Sequence, residues 1–229
     1  MESMKKGLTG NQLKLIALIT MTIDHIGYIL LPQYRILRII GRLAFPIYAY
    51  MIAEGCIYTK SMGKYLTTLA VTAVICQIST FLAGSLYLNI MVTFSLSVGI
   101  IRLLKKAKAT GKLLWKLAFL LAVAGAYFLA EVMPVFLPGT DYGIDYGFLG
   151  IILPVGLYVC KNKQQKLCVL AVVLAMLSGL YWSVQWYSLL SIPLLALYNG
   201  SRGKWKLKWL FYAWYPAHLA VLWGIAIFL

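Results

Sequence analysis

Apolar runs of about 15 to 20 residues follow one another along nearly the whole chain, parted by short polar links. That succession leaves a bundle of membrane-crossing helices as the architecture such a chain can adopt. With 62% hydrophobic and 12% charged residues the composition fits no soluble domain. The runs are read as nine spans, at 13–31, 41–58, 65–83, 88–104, 113–133, 146–160, 167–183, 185–199 and 209–229. The expected fold is all-α: one polytopic bundle over residues 1–229 in a lipid bilayer, with the N-terminus cytoplasmic and the C-terminus outside.

The net charge of +15 is distributed as a topology signal. With the N-terminus inside, 18 of the 21 basic residues fall in or beside cytoplasmic connections, among them Lys5, Lys6, Lys105, Lys106, Lys163 and Lys206. Short clusters between apolar runs make no exposed basic face, so no nucleic-acid partner is expected. Only Arg35, Arg38 and Arg42 fall outside, where they answer a local demand for positive charge: Asp24 or an anionic group on a ligand. Cys56, Cys76, Cys160 and Cys168 lack CxxC or Cys/His spacing, so free thiols and no metal are expected. The first run carries Asp24 in its outer half and further spans follow, so it is read as a retained helix rather than a cleaved signal peptide.

Asp24, His25, Arg38, Arg42 and Glu54 lie in or beside two otherwise apolar segments. Each charged group at a helix centre costs roughly 2.5–3.5 kcal/mol on insertion scales, which marks this stretch as a polar centre. His25 sits about 18 Å along its helix and His218 about 14 Å along the last one, similar depths in a core about 30 Å thick. Adjacent helical residues point about 100° apart, so Asp24 and His25 need different partners. Asp24 pairs with Arg42 or Arg38, and His25 faces inward as the titrating group. The plainer reading of either histidine is a helix-packing hydrogen bond, and Glu54 has Lys60 and Lys64 within reach. Gln77, Asn89, Thr93 and Gln185 are read first as interhelical bonds, and Trp182, Trp186 and Trp214 as belt or packing residues. No GxSxG, P-loop, dinucleotide fingerprint or HExxH is present. Histidine-assisted group transfer within the membrane, or a transport pathway, remains.

The segments LKLIALITMTIDHIGYIL, IIGRLAFPIYAYMIAEGCIYT, LNIMVTFSL, DYGIDYGFLG and FYAWYPAHLAVL together resemble the TraX family of integral membrane proteins. The resemblance implies bacterial inner-membrane location and acetyl transfer from acetyl-CoA as co-substrate, to a pilin-like N-terminus in conjugation or to a glycan or small molecule. It is also similar to transmembrane acyltransferases, and on that analogy His25 is the general base. Asp24 and Arg42 fix the first helix against the second, and Tyr215 or His218 donates toward the oxyanion. Glu54 and Tyr58 match further motif positions, and the resemblance makes Arg38, Arg42, Glu54, Tyr58, Lys105 and Lys106 the expected contacts of the acetyl-CoA co-substrate, with Lys105 and Lys106 toward its phosphates on the cytoplasmic side. The rival expectations are a proton-coupled permease and an assembly factor for small membrane peptides.

Overall fold

Helix α1 (Gly10–Ile29) begins where Thr-Gly-Asn-Gln offers a reciprocal cap. The Gln12 N–H donates to Thr9 Oγ1 at 3.3 Å and the Thr9 N–H donates to Gln12 Oε1 at 2.8 Å, so two otherwise orphaned donors are satisfied. The computed structural model describes residues 6–82, 84–181, 184–205 and 207–228. Lys5, Trp182 and Lys206 therefore lie outside the described residues. The chain forms two compact units, residues 1–51 with 161–229, and residues 52–160.

In the first unit, α1 packs against α2 (Arg35–Gly41) and α11 (Lys208–Ile227). A 3-10 segment, Val184–Leu190, packs against α2 and α9 (Lys163–Tyr181) and runs into the short α10 (Ser191–Ala196). The segment before α1 is tied to the link after α10. The Leu8 N–H donates to Leu197 O at 2.8 Å, the Asn199 N–H to Leu8 O at 2.9 Å, and Asn11 Nδ2 to Trp205 O at 2.5 Å. Between α2 and α3 (Ala44–Tyr58) the chain tightens at Arg42 and Leu43, whose N–H groups reach back only three residues, to Ile39 and Ile40. Pro46 explains the break, because it has no N–H to give the Arg42 carbonyl four residues earlier. The second span is thus a helix from Arg35 onward with a tight turn in it, not one starting at 41.

The second unit holds α4 (Met62–Leu82), α5 (Ile90–Thr110), α6 (Leu113–Tyr127), α7 (Met133–Phe136) and α8 (Gly147–Val159), with α5 packed against α4, α6 and α8. Asn89 caps α5 by accepting from the Met91 N–H, and Gly111 ends it at φ 66°, a left-handed geometry that glycine adopts without cost. Five π-helical residues, Phe128–Val132, follow α6 and carry Glu131, whose carboxylate accepts from the Phe148 N–H at 2.9 Å. An acid at that helix start satisfies a free donor and complements its positive end. Gln77 and Asn89 behave as interhelical bonds: Asn89 Nδ2 donates to Gln77 Oε1 at 2.9 Å and Gln77 Nε2 to Tyr87 O at 2.9 Å. Thr93 likewise donates to Asp145 O at 2.8 Å.

The strands β1 (Tyr87–Leu88) and β2 (Gly143–Ile144) pair in parallel, and Asp141 secures the approach to them. Its carboxylate accepts from Ser85 Oγ at 2.5 Å and from the Leu86 N–H at 2.8 Å. The Ser85 hydroxyl first, then the Leu86 N–H, hold Asp141 below its ordinary value of 3.8. A carboxylate depressed in this way supports the folded loop above its ordinary range and loses that support as pH falls through the depressed value. Exchange protection at the Leu86 amide, corrected for intrinsic rate, is accordingly expected to persist until pH drops below 3.8. Asp141→Asn should remove this acid sensitivity, and identical pH profiles for the two proteins would refute the assignment.

The fold is all-helical apart from that strand pair and one isolated bridge among the described residues. Among the described residues five helices are long and apolar enough to cross a membrane: Arg35–Tyr58, Met62–Leu82, Leu113–Phe136, Lys163–Leu180 and Trp209–Ile227. Only 11% of the apolar window of Leu113–Phe136 is buried inside the protein, an arrangement that requires lipid around it. The span expected at 185–199 is instead the 3-10 segment followed by six α-helical residues. Helix α8, 13 residues, is about 20 Å long, short of a core about 30 Å thick.

Candidate functional site

The polar centre of the first unit is built on three consecutive turns of sequence logic. Asp24 is the acid of α1, Arg38 and Arg42 stand four apart on α2 and its terminal turn, and four residues in a helix share a face. Both guanidiniums therefore reach one carboxylate. Arg38 Nη1 donates to Asp24 Oδ2 at 2.6 Å, and Arg42 Nη2 donates to Oδ1 and Oδ2 at 2.6 and 2.7 Å. The Asp24 and Arg42 side chains are each 13% exposed, Arg38 29%. Charge-assisted bonds of this length are the strong class.

Gly41 permits the approach. A Cβ at that position would run into the Asp24 side chain, so a glycine is what lets α2 lie this close to α1. Arg42 Nε also donates to Arg38 O at 3.2 Å and its Nη1 to Gln185 Oε1 at 3.4 Å, tying the turn to the 3-10 segment. Arg38 lies over the Tyr28 ring at 5.0 Å. Of the three arginines set apart by the charge pattern, Arg35 is exposed at the start of α2 and makes neither ion pair.

His25 turns away from Asp24 and meets the other histidine. His218 Nε2 lies 3.1 Å from His25 Nδ1, with the rings 4.9 Å apart. Each ring is also held by the carbonyl four residues back on its own helix: His218 Nδ1 at 2.7 Å from Trp214 O, His25 Nδ1 at 3.0 Å from Met21 O. These contacts determine the neutral tautomers. A carbonyl only accepts, so His218 carries its proton on Nδ1 and presents a bare Nε2. His25 must then carry its proton on Nδ1, shared between Met21 O and His218 Nε2. The lone pair of His25 is left on its own Nε2, the geometry of a base held by a second ring.

Tyr215, buried, stands with its ring 6.2 Å from that of His25 and 5.6 Å from that of His218. His218 has both ring nitrogens engaged with protein groups, so in this tautomer it has no N–H for an oxyanion. Sequence reading offered that donor role to Tyr215 or His218 alike. Trp214 and Thr22 were not singled out for this centre by sequence reasoning. Trp214 stacks on His218 at 6.4 Å and its Nε1 donates to Thr22 Oγ1 at 2.9 Å, clamping α11 to α1. The periodic signal was available, since Trp214 lies four residues before His218.

Glu54, Tyr58, Lys105 and Lys106 belong to the second unit. Glu54 is buried in α3, while Tyr58 at its end is 68% exposed. Lys105 and Lys106 are exposed on the last turns of α5, with Lys106 Nζ over the Trp115 ring at 4.1 Å. The described residues contain no group of three or more His, Cys, Asp or Glu placed to hold a metal ion.

An apolar helical protein with an ion-paired acid and a hydrogen-bonded histidine pair within its helices is an integral membrane protein with a built polar centre. The family model described as TraX protein matches residues 9–226, and the chain belongs to that family. It is 26% identical over 95% of its length to the "Probable fimbrial assembly protein FimC, serogroup H1" of Dichelobacter nodosus, covering 96% of that protein. It is 37% identical to an uncharacterized protein of Rickettsia prowazekii (strain Madrid E), over 38% of this chain and 33% of the relative. No solved structure matches.

Proposed function

We propose that the chain is a transmembrane acetyltransferase. It moves an acetyl group from cytoplasmic acetyl-CoA to an amine or hydroxyl acceptor at or beyond the bacterial cytoplasmic membrane, through a membrane-embedded helical bundle with its N-terminus inside. The observation that carries the reading is the hydrogen bond between His25 and His218, which leaves His25 Nε2 as a base in an apolar bundle. In the transfer, His25 Nε2 takes the proton from the acceptor as its nitrogen or oxygen attacks the thioester carbonyl. The C–S bond then breaks, and the coenzyme A thiolate takes the proton back from the imidazolium. His218 holds His25 in the required tautomer, and Tyr215 donates toward the developing oxyanion.

Asp24 with Arg38 and Arg42 keeps the base-bearing helix in register, a positioning task that leaves the carboxylate out of the proton transfer. Lys105 and Lys106 carry the sign of charge that coenzyme A phosphates require. Glu54 and Tyr58 remain in the proposal as family-motif positions. The name of the Dichelobacter relative, a probable fimbrial assembly protein, supports a pilus subunit as acceptor; it equally favours a second reading, an assembly factor that handles such peptides without chemistry.

Titration calorimetry with acetyl-CoA on detergent-purified protein separates the two. Saturable binding, with free coenzyme A competing, is the expected result. Well-folded protein that takes up no acetyl-CoA would remove the enzyme and leave the assembly factor.

A further inference from the structure

Two rungs join α1 to α11. His25 meets His218, and one helical turn earlier on each helix Trp214 Nε1 donates to Thr22 Oγ1 at 2.9 Å. Residues three or four apart share a helix face, so both rungs lie on one seam, and because their numbers rise together the two helices run in the same direction. The polarity of the earlier rung is fixed by its ends. An indole N–H only donates and a carbonyl only accepts, so the Thr22 hydroxyl accepts from Trp214 and gives its own proton to Leu18 O at 2.9 Å. A tryptophan of an interfacial belt turns its N–H out to the headgroups, whereas Trp214 turns it in, against a neighbouring helix.

The indole so held determines how the His218 ring lies. The two rings are parallel to within 6° with centroids 6.4 Å apart, an offset stack. The carbonyl of the same residue, Trp214 O, takes the His218 Nδ1 proton at 2.7 Å. The hydrogen bond pins one edge of the imidazole and the indole sets its plane, which leaves Nε2 directed at His25 Nδ1, 3.1 Å away. We propose that Thr22 and Trp214 are positioning residues for His25, keeping the His218 ring in the plane from which its Nε2 accepts the His25 Nδ1 proton. Calling His25 the base rests on the acetyl-transfer reading; the alignment of the two rings does not. In an apolar bundle no water stands in for the Thr22 hydroxyl once it is removed, so the indole loses its anchor rather than exchanging it.

The chain has two histidines, so full-length protein carrying isotope-labelled histidine in phosphatidylcholine nanodiscs shows two imidazole rings by solid-state NMR. In the wild type the shared proton should give a nitrogen–nitrogen coupling across the hydrogen bond between His25 and His218. Thr22→Val, equal in shape but without the hydroxyl, and Trp214→Phe, which keeps a ring but not the N–H, should abolish that coupling in folded protein. Thr22→Ser returns the acceptor and should bring the coupling back. Turnover read as acetyl-CoA consumption should fall about 10-fold in kcat for Thr22→Val, the net worth of one hydrogen bond, with acetyl-CoA affinity unchanged. A packing role alone would lower thermal midpoints and leave the coupling of the folded protein intact. That result overturns the proposal, as does a wild type without the coupling. If Trp214→Phe does not fold, the near-isosteric Thr22→Val decides. The expected coupling pattern in a protein that binds no acetyl-CoA sinks the transferase and leaves the alignment standing. Wild-type turnover and coupling in Thr22→Val sink the positioning role alone.

Discussion

Replacing Asp24 with alanine should cost about 3–5 kcal/mol, enough to prevent recovery of folded protein. One carboxylate serves both ion pairs that hold α2 against α1, and both guanidiniums reach it at 2.6 Å. Its removal leaves Arg38 and Arg42 crowding a mostly buried site without the charge between them. Arg42→Ala should be nearly as severe, because it strips a buried carboxylate of the partner that bonds both its oxygens. Arg38→Ala should be the mildest, since Arg38 is 29% exposed and water screens what remains. The ranking is checked by the monodisperse fraction in size-exclusion chromatography and by thermal midpoints in detergent. Arg38→Ala as damaging as Asp24→Ala would show that the cluster is not organised around the acid as the distances indicate.

Much of this centre was legible before any coordinates. Ionisable residues in apolar runs are costly enough to stand out, and the helical angle between positions 24 and 25 required Asp24 and His25 to diverge. The structure gives them the separate partners that the angle demands, and Asp24 takes both arginines where one had been expected. The meeting of His25 with His218 was foreshadowed only as equal depth. Depth along a helix fixes one coordinate, whereas contact across 193 positions of sequence depends on helix packing that no local pattern encodes.

The less legible parts are those where backbone departs from the helix period. The 185–199 stretch has the apolar composition of a span, yet Val184–Leu190 winds as a 3-10 helix and places Gln185 and Ser188 on one buried face. Composition reports burial in lipid or protein alike and does not distinguish three residues per turn from 3.6. The turn at Arg42 was hidden in the same way. Pro46 lacks the N–H that would bond the Arg42 carbonyl, and the chain tightens at the residue that carries a site guanidinium.

If the chain is the proposed acetyltransferase, His25→Ala should lower acetyl transfer about 10²- to 10⁴-fold while acetyl-CoA binding is nearly unchanged, because the imidazole would carry protons and hold no part of coenzyme A. The companion variants separate a base from a packing histidine. His218→Ala removes the acceptor of the His25 Nδ1 proton, so the ring keeps only Met21 O to orient it and the rate should fall by less. His218→Gln retains an acceptor oxygen near the position of Nε2 and should restore most of the loss. A packing role would give the opposite pattern: thermal midpoints would fall with each substitution, and turnover would follow the folded fraction. Turnover per folded molecule, measured as acetyl-CoA consumption alongside intact mass of the acceptor, distinguishes the two. Wild-type turnover in His25→Ala would remove this histidine from the chemistry and turn attention to Tyr215, whose ring stands 6.2 Å from it.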